Sequence, residues 1–241
     1  MNATMKKAIE QYEVDGYAKL KVFNEEEFKF IEGFTKHWVG DVIFTGSSNN
    51  PEVKKMLLQD YHKWWKPMGV EHDGLFRAQN RYINPEGKLK SLLLNPTILE
   101  FLSIVHKGKL IQWADPGLGW LGYRFIRPGM GDGYPTSCKN WGAAAGVISV
   151  WLPIIGFTSK ETIALVPGSH KKQYKNYLPE TKKFTAGELR LAETIDANEY
   201  LRPELLPGEV IFFHPATLHT EDVVESPISR LNLEYRFKPV N

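Results

Sequence analysis

From Lys109 onward, the chain consists of short β-rich runs that are separated by glycine and proline. These runs are LIQWA, GWLGYRFI, AGVISVWLPI, TIALV, EVIFF and RLNLEYRF. Short runs of β-branched and aromatic residues between turn-forming residues are typical of β-strands. Residues 146–154 are apolar at both alternating sets of positions, as expected of a strand buried between two layers. This half of the chain therefore predicts a two-sheet β-sandwich or barrel.

The first hundred residues have a mostly helical pattern, apart from the short strand candidate GYAKLKV. Asn24 is predicted to cap a helix, with Glu27 at the third helical position completing a capping box. Apolar residues then recur at helical spacing at Phe28, Ile31, Phe34 and Trp38. Segments 51–65 and 96–106 carry similar but weaker patterns. We therefore expect helices packed outside the β-layers.

The length of 241 residues and a 42% hydrophobic content predict a single domain over residues 1–241. Residues 1–108 are expected to form a mostly helical support, and residues 109–241 the β core. A polar insertion at 171–206 interrupts the core strands, and we expect it to be partly helical around residues 186–200. An insertion of this kind is either a lid over a site or decoration.

Composition limits the partners of the chain. No segment approaches the roughly 20 apolar residues of a membrane span, and no apolar run follows the N-terminal lysines as in a signal peptide. The single cysteine, Cys138, excludes an internal disulfide and fits a reducing compartment, so we expect a cytoplasmic protein. The net charge is +2, and the basic segment 171–183 is too short to indicate nucleic-acid binding. A homodimer is compatible with the sequence, which does not require one.

The segment FHPATLHTEDVVESPISR places His219 on a predicted strand and Arg230 eleven residues later, beyond a Ser-Pro turn. We expect a turn near residues 225–227 to fold the chain back as a hairpin, with Arg230 opposite or diagonal to His219 on one barrel face. Imidazole suits iron, copper, nickel or zinc, and a guanidinium can hold the far carboxylate of a diacid with two hydrogen bonds. The alternative is a hydrogen-bonded core histidine and an arginine that forms a salt bridge at the sheet edge.

Four stretches extend this pattern over most of the chain, namely GYAKLKVFNEEEF, YRFIRPG, LVPGSHKK and LPGEVIFFHPATLHTEDVVESPISRLNLEYRF. In this order, they resemble the phytanoyl-CoA dioxygenase-like family of Fe(II)/2-oxoglutarate-dependent oxygenases. The resemblance implies a mainly β fold with flanking helices, a double-stranded β-helix of the jelly-roll, cupin-like type. It also implies that His219 is the distal iron ligand and that Arg230 grips the carboxylate of 2-oxoglutarate. His214 and His170 match positions that the family does not use as ligands, so we interpret both as structural, with His170 bracing its turn.

The other half of the family's metal site is not matched. Such enzymes hold iron with two histidines and a carboxylate, and the first two ligands come as His-x-Asp shortly after the strand that here reads YRFIRPG. This chain instead continues GMGDGYPTSCKNWG, with no histidine between His106 and His170. Aligning the trailing lysine and tryptophan places Thr136 at the histidine position and Cys138 at the aspartate position. Threonine is a poor ligand for a divalent ion.

The candidates for the missing ligands leave the metal site open. A thiolate of Cys138 could bind a metal and would favour softer ions than a carboxylate does. Asp132 could supply a carboxylate from the glycine-rich loop, or it could be a turn aspartate. Glu221 would share a strand face with the histidine two residues before it, or it could be a solvated edge glutamate. The adjacent residues His72 and Asp73 diverge on a helix or a strand, and we assign them to a loop.

A basic, aromatic rim is predicted near the mouth of the barrel. Arg124 and Arg127 flank Phe125, and we expect both arginines to face one way. The proposed rim residues are Arg124, Arg127, Trp120, Lys139 and Trp141. They suit a sugar, a nucleotide or a carboxylate ligand. The alternative is that the tryptophans are core residues and the arginines are ordinary surface charges.

Three functions fit these observations. The first is a 2-oxoglutarate-dependent oxygenase, a hydroxylase of a small metabolite such as a sugar or glycan precursor, with Fe(II) and 2-oxoglutarate as cofactors. Its metal would be held by His219 together with Cys138 or Asp132. The second is a metal-free relative without cofactors that binds a ligand, serves as a partner subunit or performs acid–base chemistry with His219 or Cys138. The third is a sugar-binding β-sandwich without chemistry, since fold alone does not decide function.

Overall fold

The computed structural model describes residues 2–43, 55, 57–64, 82–83, 85–113, 121–128, 146–177, 190–191, 194–220 and 226–240. These residues form strands β1 (Tyr17–Lys21), β2 (Tyr82–Ile83), β3 (Ile111–Trp113), β4 (Leu121–Ile126), β5 (Ile148–Ile155), β6 (Ala164–Leu165), β7 (Asn176–Tyr177), β8 (Arg190–Leu191), β9 (Glu209–Phe213), β10 (His219–Thr220) and β11 (Arg230–Pro239). The β-rich runs of the second half all contain strands, as predicted.

The larger layer is an antiparallel sheet with the strand order β1-β9-β5-β11-β4-β2, in which β3 also pairs with β11. Its central strand, β11, pairs with β5 on one side and with β4 and β3 on the other. The edge strand β1 comes from the N-terminal half of the chain and pairs with β9, with Tyr17 opposite Phe213. The helical half of the sequence therefore contributes to the β core as well as covering it.

The two faces of the larger sheet have different surroundings. On the outer face, alternate residues of β11 join one large apolar cluster with residues of the helices; from β11 these are Leu231, Leu233, Tyr235 and Phe237. The inner face carries a second cluster, which includes Trp151, Ile211 and Phe213. Leu165 of β6 belongs to that second cluster. The short β6–β10 pair therefore lies over the inner face and forms a second layer, which agrees with the predicted two-layer β architecture.

The α-helices whose bounds the structure describes are α1 (Ala3–Asp15), α2 (Glu25–Ile43), α3 (Tyr61–Trp64), α4 (Gly87–Leu93) and α5 (Pro96–Val105). A 3₁₀ turn, Leu58–Asp60, leads directly into α3. Asn95 caps α5 by accepting a hydrogen bond from the Thr97 amide at 2.8 Å, and Pro96 occupies the first turn, where a missing N–H costs nothing. The helices cover the outer face of the sheet, as expected for a mainly β fold with flanking helices.

The capping box at the start of α2 is confirmed. The Asn24 amide N–H donates to Glu27 Oε2 at 2.8 Å, and the Glu27 amide N–H donates to Asn24 Oδ1 at 2.9 Å. Among the recurring apolar residues of this helix, Phe34 is 36% exposed. Thr35 is buried instead, and its Oγ1 donates to the Ile31 carbonyl and shares a 2.9 Å hydrogen bond with the Tyr123 hydroxyl. A polar contact with the sheet therefore sets the inward face of α2 at this point.

The polar insertion is expected to be partly helical around residues 186–200, of which 186–189 and 192–193 lie outside the described residues. In its described part, β7 pairs with β8, and a 3₁₀ turn spans Ala197–Glu199. Leu201 then forms an isolated bridge with Leu165 of the inner layer. Within 186–200, the described residues therefore combine a short strand with one helical turn. Among the helices that the structure describes, none is long and apolar enough to cross a membrane.

Candidate functional site

The inner face of β11 is polar and buried. Four residues at alternating positions point away from the outer apolar cluster, namely Arg230, Asn232, Glu234 and Arg236. The register confirms their direction, because Glu234 lies opposite Trp151, a member of the inner cluster. Asn232 lies opposite Arg124 of β4. The space between the two layers therefore contains a row of charged and amide groups.

His219 points into the same space from the second layer. It lies opposite Leu165 in the β10–β6 pair, and its ring centroid is 4.9 Å from that of Phe213. Its Nδ1 is 2.9 Å from the Thr217 carbonyl oxygen. Because a carbonyl oxygen only accepts, Nδ1 carries a proton in this contact, so in the neutral form of the imidazole the lone pair lies on Nε2. This is how metal-binding histidines are commonly oriented.

The expected hairpin between His219 and Arg230 is wrong. In the described part of the chain, β10 pairs with β6, whereas β11 pairs with β3, β4 and β5. The two residues therefore belong to different layers. They share an interior because the layers face each other: His219 packs on Phe213, Arg230 lies near Trp151, and both aromatic residues belong to the inner cluster.

Arg230 is fully buried, with a relative exposure of 0%. Its Nη1 donates to the Glu161 carbonyl oxygen at 3.1 Å, and its Cζ lies 5.9 Å from the ring centroid of Trp151. Gly156, at φ +91°, allows the chain to pass against this side chain, because a Cβ there would lie 3.0 Å from Arg230 Cγ and 2.9 Å from Glu161 Cβ. The Arg230 side chain is therefore held by the Glu161 carbonyl at its guanidinium and by close packing along its aliphatic part.

Glu234 lies between cations. Its Oε1 accepts a hydrogen bond from Arg236 Nη2 at 2.5 Å, and its Oε2 is 3.5 Å from Arg124 Nε. Burial by itself would raise the pKa of this carboxyl, but Arg236, Arg124 and His219 outweigh burial and lower the pKa to about 2. Glu234 is therefore ionised throughout the physiological pH range, and its charge is felt by the imidazole.

Some buried polar atoms of this interior lack hydrogen-bond partners among the described residues. They are both side-chain amide atoms of Asn232, Ser149 Oγ and Trp151 Nε1. Ser149 of β5 lies opposite Arg236 of β11 on one side and opposite Phe213 of β9 on the other, so the three residues share the inner face of the sheet. An unpaired buried amide costs about 1–3 kcal/mol, so such groups usually face a ligand or water. The interior therefore offers donors and an acceptor that a polar ligand could use.

Several predicted site residues lie outside the described part of the chain, namely Cys138, Asp132, Lys139, Trp141, Trp120, Thr136, Glu221, His72 and Asp73. Arg124 is described and faces the interior beside Glu234, with a side-chain exposure of 33%. The expectation that Arg127 shares its direction stays a prediction, because β4 ends at Ile126 and strand alternation does not reach Arg127. A regular strand would place residues three apart on opposite faces.

The described residues supply only part of a metal site. Among them, no group of three or more His, Cys, Asp or Glu side chains could hold a metal ion. His219 fits one ligand position, since its Nδ1 contact leaves Nε2 directed away from the carbonyl. Glu234 is already engaged by two guanidiniums. Any further ligands would have to come from other parts of the chain.

The two neighbouring histidines lie at the C-terminal end of α1. The His214 amide and Thr217 Oγ1 each donate to the Gly16 carbonyl at 2.8 Å. The rings of His170 and His214 are 5.4 Å apart, and a Cβ on Gly16 would lie 2.3 Å from His170 Nδ1. Burial, followed by the charge of Lys171, lowers the pKa of His170. These contacts are with the helix end, and we retain the structural interpretation of both residues.

The sequence reasoning missed three residues of the interior, Asn232, Glu234 and Arg236. A signal for them was present, since RLNLEYRF alternates polar and apolar residues over its whole length. Such alternation is typical of a strand with one apolar and one polar face. The polar face was not recognised as an inner face because polar strand residues usually face solvent.

The comparisons with known proteins give structural matches only. No protein-family model matches the chain, and no curated protein matches its sequence. Among solved structures, the non-haem monooxygenase ThoJ, in its apo form, matches with a TM-score of 0.65 and 14% identity, over 96% of this chain and 77% of that chain. The epimerase SnoN, in complex with Fe3+, alpha ketoglutarate and nogalamycin RO, matches with a TM-score of 0.59 and 13% identity, over 98% and 84%.

The non-haem alpha ketoglutarate dependent carbocyclase SnoK, from nogalamycin biosynthesis, matches with a TM-score of 0.56 and 16% identity, over 99% of this chain and 87% of that chain. At these identities the likeness concerns the fold. Together with the antiparallel sheet and flanking helices, it confirms the predicted jelly-roll architecture, a double-stranded β-helix of the cupin-like type.

Proposed function

We propose that this chain is an Fe(II)/2-oxoglutarate-dependent oxygenase, a hydroxylase of a small metabolite, with a sugar or glycan precursor as the favoured class. The observation that carries the proposal is the buried pair of Arg230 and Asn232 on the inner face of β11. It lies in the interior of a fold whose solved examples include enzymes described as alpha ketoglutarate dependent. Within the wider oxygenase class, the sequence motifs favour the phytanoyl-CoA dioxygenase-like family.

The co-substrate would bind along β11. The guanidinium of Arg230 suits a carboxylate, because it presents parallel N–H donors in a rigid plane. Asn232 lies on the same face two residues on, and its amide has no hydrogen-bond partner among the described residues. One carboxylate could therefore accept from both side chains. This orphaned, fully buried amide supports the fit of a dicarboxylate such as 2-oxoglutarate to the residues present.

His219 would hold the metal through Nε2, and we propose Cys138 or Asp132 as its partners. When bound, iron(II) together with 2-oxoglutarate supplies the oxidising chemistry of this enzyme class. The contribution of the chain is to fix the imidazole through the Thr217 carbonyl and to pack it against Phe213 of the inner cluster. Glu234 keeps a negative charge beside the imidazole.

The substrate would enter beside Arg124. This side chain reaches the interior at Glu234 and yet is partly exposed, so it joins the inner polar row to the surface. Arg127, Lys139 and Trp141 are proposed as further substrate contacts, and a guanidinium rim with an aromatic face suits a polyhydroxylated or anionic metabolite. A cytoplasmic location and the absence of nucleic-acid and membrane partners remain predictions.

The proposal is tested by anaerobic titration of the purified protein with iron(II) and 2-oxoglutarate, followed by visible absorption. We expect a charge-transfer band and consumption of 2-oxoglutarate once oxygen is admitted. Arg230→Gln should abolish binding of 2-oxoglutarate, and Cys138→Ser should lower the metal content if the thiolate is a ligand. Lys29→Gln, in an exposed ion pair near the start of α2, is the matched control. A wild-type protein that stays colourless and consumes no 2-oxoglutarate would end the oxygenase proposal.

A second candidate is a metal-free relative that binds a dicarboxylate without oxidising anything. The observation in its favour is that the described residues contain no group of three or more metal-ligating side chains. Calorimetric titration with 2-oxoglutarate in the presence of a chelator separates the two candidates. Binding that persists without metal, combined with no iron uptake, would favour the ligand-binding protein.

A further inference from the structure

Arg230 is the first residue of β11, and the residue before it contacts a helical segment that is distant in sequence. Ser229, the residue before Arg230, is fully buried, and its amide N–H donates to the Gln59 carbonyl at 2.8 Å. Its Oγ lies 2.7 Å from His62 Nδ1. The amide N–H and the hydroxyl of Ser229 therefore both contact the segment of residues 58–64, which comprises the 3₁₀ turn and α3.

The same segment is anchored in the core behind the β4–β11 pair. Tyr61 is fully buried, and its ring meets that of Phe125 in an edge-on contact at 4.9 Å between centroids. Phe125 precedes Ile126, the β4 residue that pairs with Arg230. Segment 58–64 thus contacts both β4 and the residue before β11, close to Arg230. These contacts can fix the position of the start of β11.

The beginning of β11 is regularly paired on its β4 side, where Arg230 lies opposite Ile126, but its β5 side is irregular. Its register with β5 shifts between Leu231 and Asn232, which marks an irregularity one residue after Arg230. Strand ends beside an irregularity lose regular ladder hydrogen bonds, so their backbone position depends on other contacts. On the inner side, Gly156 and the Glu161 carbonyl hold the Arg230 side chain. On the outer side, the His62–Ser229 contact and the Gln59 carbonyl hold the backbone.

We propose that His62 is a positioning residue for the co-substrate site: through Ser229 it fixes the start of β11, so that Arg230 meets the carboxylate of 2-oxoglutarate in one orientation. This inference rests on the proposed function, because it assigns the role of His62 through the ligand of Arg230. His62 itself does not touch that ligand. Burial, and then the charge of Lys63, lowers the pKa of His62, so the ring is neutral at neutral pH and can share a hydrogen bond with a hydroxyl.

The experiment compares His62→Leu, His62→Asn and Ser229→Ala with wild type. The first readout is the dissociation constant of 2-oxoglutarate from calorimetry, with iron(II) under anaerobic conditions. His62→Leu and Ser229→Ala should each weaken binding by about three- to tenfold, the range expected for one lost hydrogen bond, and the double variant should lose no more than either single one. His62→Asn can keep the hydrogen bond to Ser229 and should bind like wild type.

The second readout is the hydrogen-exchange rate of the Ser229 and Arg230 amides, which does not need 2-oxoglutarate. We expect faster exchange in His62→Leu and near wild-type exchange in His62→Asn. The matched control is His37→Leu, since His37 is an exposed histidine on α2. If His62→Leu does not fold, Ser229→Ala removes the other end of the same contact and decides the question.

The outcomes separate this inference from the proposed function. Unchanged affinity and unchanged exchange in both His62→Leu and Ser229→Ala would overturn the positioning role, even if wild type binds 2-oxoglutarate tightly. Loss of affinity that His62→Asn fails to restore would also overturn it, because the contact would then not act through a hydrogen bond. A wild-type protein that binds no 2-oxoglutarate overturns the proposed function, and faster exchange in His62→Leu would still show that the contact holds the strand.

Discussion

Arg236 Nη2 donates a hydrogen bond to Glu234 Oε1 at 2.5 Å, between two side chains that are each only 10% exposed. A charge-assisted hydrogen bond this short in a buried setting is strong. Removing either partner is costly, because it leaves the other charge buried without its counter-ion. Arg124 approaches the other carboxylate oxygen at 3.5 Å. One carboxylate therefore serves two guanidiniums, and its removal would leave both without it.

We expect Glu234→Gln to reduce the free energy of unfolding by about 3–5 kcal/mol, because it removes the carboxylate from the buried guanidinium of Arg236 and from the partly exposed one of Arg124. The measurement is urea denaturation at neutral pH. The control is Glu25→Gln, which breaks an exposed pair with Lys29 on α2 and should not change the unfolding midpoint measurably. Equal midpoints for Glu234→Gln and wild type would mean that this ion network does not stabilise the fold.

Acid should weaken the protein through the same carboxyl. The pKa of Glu234 is lowered from 4.5 to about 2, so the folded state favours the charged form. The resulting stabilisation is fully present above the ordinary pKa and is lost as the pH falls through 4.5 towards 2. Between about pH 6 and pH 3, this group should cost wild type about 2 kcal/mol of unfolding free energy. Urea midpoints measured across that range check the value, and Glu234→Gln should lack this component of the slope.

Asn232→Leu should separate stability from ligand binding. Leucine has the same branched outline as asparagine and removes a buried amide that lacks partners among the described residues, so we expect the unfolding free energy to be unchanged or to rise by about 1 kcal/mol. Affinity for 2-oxoglutarate should fall by about tenfold if the amide binds the carboxylate. Thermal unfolding and calorimetry on the same sample give both numbers. A clear loss of stability would indicate that another group in the folded protein satisfies the amide.

Two glycines should respond in opposite ways to alanine. Gly16 ends α1 at φ +79°, and its Cβ would lie 2.3 Å from His170 Nδ1 and 2.4 Å from Thr217 Oγ1, so Gly16→Ala should destabilise the protein by at least about 2 kcal/mol. Gly33 lies inside α2, and no atom lies within 4 Å of the point that a Cβ would occupy there, so Gly33→Ala should stabilise the protein by about 0.5–1 kcal/mol. Thermal melting of both variants checks the contrast. Similar melting temperatures for the two would contradict the close approach at Gly16.

Local sequence patterns predicted much of the fold, because helix caps and strand propensity depend on residues that are close together in sequence. The capping box of Asn24 and Glu27 depends on residues within one helical turn, and the folded chain forms both of its hydrogen bonds. The strand RLNLEYRF was recognised from its own residues. The apolar pattern of α2 includes Phe34, which is 36% exposed, whereas the neighbouring Thr35 is buried and shares a hydrogen bond with Tyr123 of β4. The periodicity of apolar residues in one helix carries no information about a hydrogen-bond partner on another element.

The sequence by itself determined the strand-rich second half and the helical cover. It also indicated that the imidazole of His219 and the guanidinium of Arg230 face a shared interior. Only the tertiary structure decided how the two come together, because β10 and β11 pair in different layers and no hairpin register relates them. It also decided that Glu234 and Asn232 face inward, and that His62 contacts the residue before Arg230. The physical reason is that backbone pairing and side-chain burial between distant segments depend on the whole chain, whereas propensity and spacing act over a few residues.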